Sequence, residues 1–280
     1  MPEQATTTSR YFTLHRPKVQ RPVLVEIPHA GLAIPEDLGQ ELRAPLDSVL
    51  RDADLFVDKL YADAPEHGAS MLEAHISRYV VDLNRAPHDV DLQTVPDHPA
   101  PRGVQARGVV WRTTTGGQPL LRRPLTYRQL QDRLARYHRP YHDALRAELG
   151  RLRERFGFAL CLAAHSMPSR GRTLGSDRIT RRPDVVPGTR GGTSADRRLI
   201  ELVDAHFTEA GLSVRHDDPY RGGYTTAHYG RPREGWHVVQ IEINRALYVH
   251  EATSRPKQTE FEELQRVLEE LVAKVAKLTL

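Results

Sequence analysis

The chain has a single cysteine among 280 residues, few aromatics and no long apolar run. One cysteine excludes an intramolecular disulfide, and Cys161, inside FALCLAAH, reads as a buried core thiol in a reducing compartment. No stretch approaches the roughly 20 apolar residues that cross a bilayer, so no membrane partner is expected. The start, MPEQATTTSRYFTLHRPK, carries no apolar segment behind its charges, so no secretory signal is read and a cytoplasmic location is expected. Aromatics make up 6% of the chain and do not interleave with its basic residues, and 36 acidic side chains offset 40 basic ones. Nucleic acid is therefore not expected as a partner. The remaining charge of +4 suits a small anionic substrate equally well. Also missing are a GxSxG elbow, a GxxxxGK[ST] loop and a GxGxxG after a strand. With no activating charge beside Cys161, hydroxyl and thiol mechanisms have little support.

What is present is an alternation of short apolar runs with amphipathic stretches, the pattern of layered α/β folds. Strands are expected at residues 23–27 (VLVEI), 69–74, 79–83, 158–164, 212–215 and 238–243, and helices at 48–61, 126–156, 194–210 and 258–278. The second helix carries Pro140 and is expected to break there. Ser194 or Thr193 is the expected N-cap of the third and Gly211 its stop. Residues 1–20 read as extended or partly ordered. Two irregular segments, 86–124 and 166–192, are rich in Pro, Gly and Arg or Asp, and such long loops are usually functional or flexible. With no linker or repeat, a single domain over 1–280 is expected.

Chemistry-bearing residues gather at the expected strand ends, where open α/β sheets place their sites. SRYVVDLNRAP brackets an apolar run with Arg78, Asp82, Asn84 and Arg85. Such a cluster either closes a sheet edge as ion pairs or grips an anion through paired guanidinium hydrogen bonds. His29 follows VLVEIP, and His165 follows ALCLAA. Either histidine alone reads as an ordinary turn or core residue; two at two strand ends suggest metal ligands. A catalytic zinc takes three protein ligands, and RDADLF offers Asp52 and Asp54, which read equally well as acids complementing a helix N-terminus. Glu242, inside VVQIEIN, is the candidate general base, since burial raises a carboxylate's proton affinity. YRGGY, with Arg221, reads either as a plain turn or as backbone brought close to a ligand. GTRGGT ahead of a helix is a weak anion-site signal. His138 and His142 share the spacing of paired ligands, but Pro140 between them keeps them out of the expected metal site, and His228 and His237 are unassigned.

The ordered set IPHAGLAIP, RDADLFVDKLY, SRYVVDLNRAP, YHRPYHDAL, AHSMPS, GTRGGTS, DPYRGGYTTAHYGRP and VVQIEINRALY resembles the N-formylglutamate amidohydrolases, from about Pro22 to Glu251. These are metal-dependent deformylases known from bacterial histidine degradation, within a wider zinc carboxypeptidase-like group. The resemblance implies a three-layer α/β/α fold around a central mixed sheet. It implies zinc or another divalent metal on His29, Asp54 and His165, with Asp52 and Asp82 behind them. It further implies Glu242 as general base, Arg78 polarising the scissile carbonyl, and Asn84 and Arg85 holding an α-carboxylate. Arg221 or Arg245 would take a side-chain carboxylate. The expected reaction is hydrolysis of the amide of N-formyl-L-glutamate or a related N-acyl acidic amino acid. The alternatives are a metallo-carboxypeptidase or peptidoglycan-peptide hydrolase on the same centre, or a non-catalytic binding protein on a decayed scaffold. Two departures stand out. The glutamate that carboxypeptidases and aspartoacylases carry three residues after the first histidine is Leu32 here, and the residue before His165 is Ala164 where close relatives often have Asp.

Overall fold

The computed structural model describes residues 6–45, 47–172 and 179–280. Seven strands form one sheet: β1 (Thr6–Thr8), β2 (Phe12–His15), β3 (Val23–Ile27), β4 (Ser70–Ala74), β5 (Ala159–Met167), β8 (Val185–Gly188) and β9 (Trp236–Asn244). β6 (Arg170–Arg172) and β7 (Ile179–Arg181) form a separate hairpin. The order across the sheet is β1-β2-β4-β3-β5-β9-β8. The centre β4-β3-β5-β9 is parallel, and the edges β1, β2 and β8 are antiparallel. The sheet is mixed because β1 and β2 at one edge and β8 at the other run antiparallel to their neighbours.

The central strands are buried on both faces, as parallel strands covered by helices must be. Their two-residue alternation sends Val25, Ile27, Leu162, Val239 and Ile241 to one face, against α3 (Val57–Leu60), α6 (Arg197–Glu209) and α8 (Gln258–Val275). Leu24, Cys161, Ala163 and Val238 go to the other face. There they meet α4 (Tyr127–Arg133) and α5 (Arg139–Phe156), together with residues 79–83. Three layers result, with the short helices α1 (Glu36–Gly39) and α7 (Tyr224–Tyr229) adding Leu38 and Tyr229 to the core of this second face. The helix starting at Tyr127 opens with a capping box between Thr126 and Gln129. It does not break at Pro140. A π-helical turn, Leu134–His138, precedes the proline and absorbs its missing donor, so α4 and α5 run on as one rod.

Several expected elements come out differently. Residues 79–83 are buried but form no strand. They leave the sheet beyond β4, and their backbone groups bond elsewhere: Asp82 N to Val109 O, Arg133 to Val80 O, His142 to Leu83 O. The helix expected over 48–61 is two short pieces, α2 (Asp47–Asp52) and α3, separated by a turn in which Phe56 has a φ of 61°. α6 starts at Arg197 with Asp196 as its cap, later than Thr193 or Ser194. Residues 212–215 contribute only a single bridge, Val185 to Val214. The segment 86–124 is irregular as expected, yet it is packed, with Val90, Val95, Val109, Trp111 and Leu120 in the core. The segment 166–192 holds the end of β5, the β6–β7 hairpin and β8; its residues 173–178 lie outside the described part.

Candidate metal centre and active site

The site lies at the C-terminal ends of β3, β5 and β9, on the face that carries Ala163 and Val238. Continuing the alternation along β5 and β9 puts His165 and Glu242 on that face, in register with each other on adjacent strands. His29 stands just past the end of β3. The turn after α2 then folds Asp54 onto it, because Asp54 N donates to His29 O at 3.0 Å. His29, Asp54 and His165 each bring one donor atom within 4.8 Å of the others, and all three are buried. Asp54 Oδ2 lies 2.9 Å from His165 Nδ1 and 3.6 Å from His29 Nδ1.

Both imidazoles are pinned from behind. His29 Nε2 meets Asp82 Oδ1 at 2.8 Å, and His165 Nε2 accepts from Asn84 Nδ2 at 3.1 Å. Asn84 can only donate there, so the His165 proton sits on Nδ1 toward Asp54, the position from which a cation would displace it on binding. His29 Nδ1 is buried without a hydrogen-bond partner among the described residues. Two imidazole nitrogens with fixed outer partners, one of them orphaned, and a carboxylate oxygen converge on one point. That set fits a divalent cation, with the outer partners orienting the ligands. Burial by itself would raise the Asp54 carboxyl, but the hydrogen bond from His165 and the adjacent His29 imidazole outweigh it and hold Asp54 far below the usual range. Asp52 is not part of the group: its carboxylate takes the Tyr79 hydroxyl and the backbone and side chain of Thr115, so it anchors the irregular segment.

Asp82 is fully buried and accepts four donors: His29 Nε2, Asn84 N at 3.0 Å, Arg78 Nη2 at 2.9 Å and Trp111 Nε1 at 2.9 Å. Burial would lift its carboxyl, but Arg78 and His29 hold it well down. Arg78 reaches the metal group directly, with Nη1 3.6 Å from Asp54 Oδ1. Arg245 Nη2 lies 3.9 Å from the same oxygen, and Arg245 Nη1 donates to Arg51 O at 2.7 Å. The two oxygens of Asp54 thus face opposite ways, one toward the histidines and one toward two guanidinium groups.

Glu242 is buried, which raises its proton affinity as a general base requires. Gln240, on the same face of β9, donates from Nε2 to Glu242 Oε1 at 2.9 Å. Gln240 Oε1 accepts from Gly223 N at 2.8 Å and Asn84 Nδ2 at 3.1 Å. Asn84 Oδ1 accepts from Thr225 N at 2.9 Å. The Asn84 amide is therefore committed to His165, Gln240 and the YRGGY segment. Gly223 has to be glycine, because a Cβ there would stand 2.4 Å from Asn84 Nδ2. Arg85 and Arg221 are less committed: the Arg85 side chain is 38% exposed, with Asp89 at 3.8 Å as its ion-pair partner among the described residues, and Arg221 is exposed beside Gly191. His138 and His142 stay out of the metal group, donating instead to Arg85 O at 2.9 Å and Leu83 O at 2.8 Å. They brace the DLNR turn from its far side.

Sequence reasoning missed Gln240, Trp111 and Glu26. Gln240 carried a signal, standing two residues before Glu242 and so on the same face. Glu26 carried the same signal as Glu242, an acid inside an apolar strand. It is fully buried, accepts the Tyr141 hydroxyl at 3.0 Å, and burial raises its carboxyl. Trp111 had no signal, since nothing local links it to Asp82.

Residues 21–249 match the family model described as N-formylglutamate amidohydrolase. The chain is 37% identical over 237 residues to an N-formylglutamate deformylase of Pseudomonas putida, 82% of each chain being covered. It is 35% identical to one of Pseudomonas aeruginosa, over 82% of this chain and 83% of that one. Among solved structures, an N-formylglutamate amidohydrolase from Ralstonia eutropha JMP134 superposes with a TM-score of 0.87 at 31% identity, covering 96% of this chain and 98% of that one. A gene product of Agrobacterium tumefaciens shares the fold, with a TM-score of 0.69 at 21% identity over 95% and 94% of the two chains. No described helix is long and apolar enough to cross a membrane.

Proposed function

The chain belongs to the N-formylglutamate amidohydrolase family, and from that premise we propose that it hydrolyses the amide of N-formyl-L-glutamate or a closely related N-acyl acidic amino acid, using a divalent metal. The observation that carries this reading is the convergence of His29, Asp54 and His165 beside a buried Glu242 and Arg78. Two imidazoles and a carboxylate favour zinc by donor type. Bound there, the metal supplies Lewis acidity, which polarises a carbonyl and acidifies water.

The chain's own groups divide the remaining work. Glu242 takes a proton from the attacking water at its carboxylate and delivers it to the leaving nitrogen. Gln240, held by Gly223 N, keeps the Glu242 carboxylate turned toward the site. Arg78 presents a fixed positive charge next to Asp54, where negative charge develops on the carbonyl oxygen, and removing such a stabilising group typically costs about 3 kcal/mol. We assign the substrate carboxylates to Arg85 and Arg221, whose guanidinium groups are open to an incoming anion. Asn84 orients His165, and Arg245 steadies Asp54. The expected products are formate and glutamate, consistent with a small anionic partner and a role in histidine degradation in the cytoplasm.

The test is elemental analysis of the purified chain, followed by formate release from N-formyl-L-glutamate with and without chelator. Roughly one zinc per chain and chelator-sensitive formate release are expected. Bound metal with no formate would remove this substrate and point to other N-acyl amino acids or peptides.

A further inference from the structure

The segment 86–124 reaches the buried heart of the site through the Val109 carbonyl, which accepts from Asp82 N, and through one side chain. Its Trp111 is 3% exposed, and its indole N–H donates to Asp82 Oδ2 at 2.9 Å. The face of the same ring lies under Arg78, with the guanidinium carbon 4.5 Å from a ring centroid. Trp111 therefore touches both members of the Arg78–Asp82 pair, one through its edge and one through its π face. Asp82 in turn holds His29 Nε2 with its other oxygen. An indole N–H only donates, so this contact cannot reverse, and the ring's quadrupole favours a cation over its face. Asp82 is fully buried, so bulk water does not reach it to replace a lost donor.

Resting on the function proposed above, we propose that Trp111 is a positioning residue: through Asp82 it sets the orientation of His29, and through its ring the reach of Arg78. The irregular segment is then a built part of the metal centre. Two consequences follow. Losing the N–H frees the Asp82 carboxylate to turn toward Arg78, and His29 loses its fixed orientation. Two residues, Asp82 and His29, separate the indole from the position a cation would take, so its emission would respond to occupancy.

Trp111→Phe keeps an aromatic face under Arg78 and removes only the N–H. Its affinity for zinc, measured by competition with a chromophoric chelator, is expected to fall about tenfold or more. Its kcat is expected to fall while KM changes little. Leu120→Ala, buried in the same segment and tied by its carbonyl to Arg43 and Ala44, controls for mere loosening; it is expected to lower the melting temperature and leave zinc affinity unchanged. In Trp236→Phe, which leaves Trp111 as the one tryptophan of the two, zinc is expected to change the emission at the concentration where it binds. A Trp111→Phe variant that folds and binds zinc as tightly as the wild type overturns the proposal, even if the wild type releases formate. Weakened zinc binding in that variant supports it, even if the wild type cleaves some other amide. A wild type that takes up no zinc overturns both readings.

Discussion

Glu242 and Gln240 form the shortest route from a single side chain to a rate. Glu242→Gln preserves shape and leaves His29, Asp54 and His165 untouched, so zinc content is expected to stay at the wild-type level. Turnover is expected to fall by about 10²- to 10⁴-fold, the usual contribution of a positioned acid–base group. Formate release within a few-fold of wild type, with metal in place, would take Glu242 out of this role. Both strand-end histidines and Asp54 stood out in the sequence, because acids and imidazoles are conspicuous at the ends of apolar runs. Read from the residues alone, Asp52 and Asp54 are equally eligible to join the histidines; the family resemblance selects Asp54. Two acids two residues apart look alike in a string of letters. The turn after α2 separates them, sending Asp54 to His29 O and Asp52 to Thr115.

At the level of elements, the misread piece is 79–83. An apolar run of that length fits a strand, and its residues are as buried as a strand's. What excludes it from the sheet is the supply of partners from distant segments: Arg133 for Val80, Val109 for Asp82, His142 for Leu83. Arg133 is itself 1% exposed and pairs with Glu41 as well. Arg133→Ala leaves the buried Val80 carbonyl without its donor, while the partly exposed Glu41 keeps Gln129, and is expected to destabilise the fold by about 1–3 kcal/mol. Urea unfolding measures this; a loss below about 1 kcal/mol would mean the carbonyl finds another donor. The helix broken in the sequence reading but continuous in the structure has a similar lesson. Pro140 forbids an ordinary α turn, and the π-helical turn before it was not a choice that composition displays.

Across the whole molecule, burial of neutral histidines ties stability to pH. His142 is buried between Leu83 O and Tyr229, and burial holds its proton affinity well below that of a free histidine. Above the free value near 6.5 neither folded nor unfolded chain protonates it, and nothing is lost. As pH falls below that value the unfolded chain takes up a proton that the folded chain refuses. Stability then declines by up to about 1.4 kcal/mol per pH unit until the folded group titrates. Between pH 7 and 5 the urea midpoint of the wild type is therefore expected to drop more steeply than that of His142→Gln. Parallel slopes would show that His142 titrates alike in both states.

Local pattern dictates the layers and the kinds of chemistry available. Period-two apolar runs fix which faces of β3, β5 and β9 are buried, and the same period places His165, Gln240 and Glu242 on one face, since alternation along a strand is a local property. Tertiary structure alone decided which groups meet. The joining of Trp111 to Asp82, of Asn84 to both His165 and Gln240, and of Asp54 in preference to Asp52 to the histidines spans up to 156 residues of chain. Such contacts are set by how separate segments pack around a buried polar cluster, whose members must all find partners at once, and no local pattern records that.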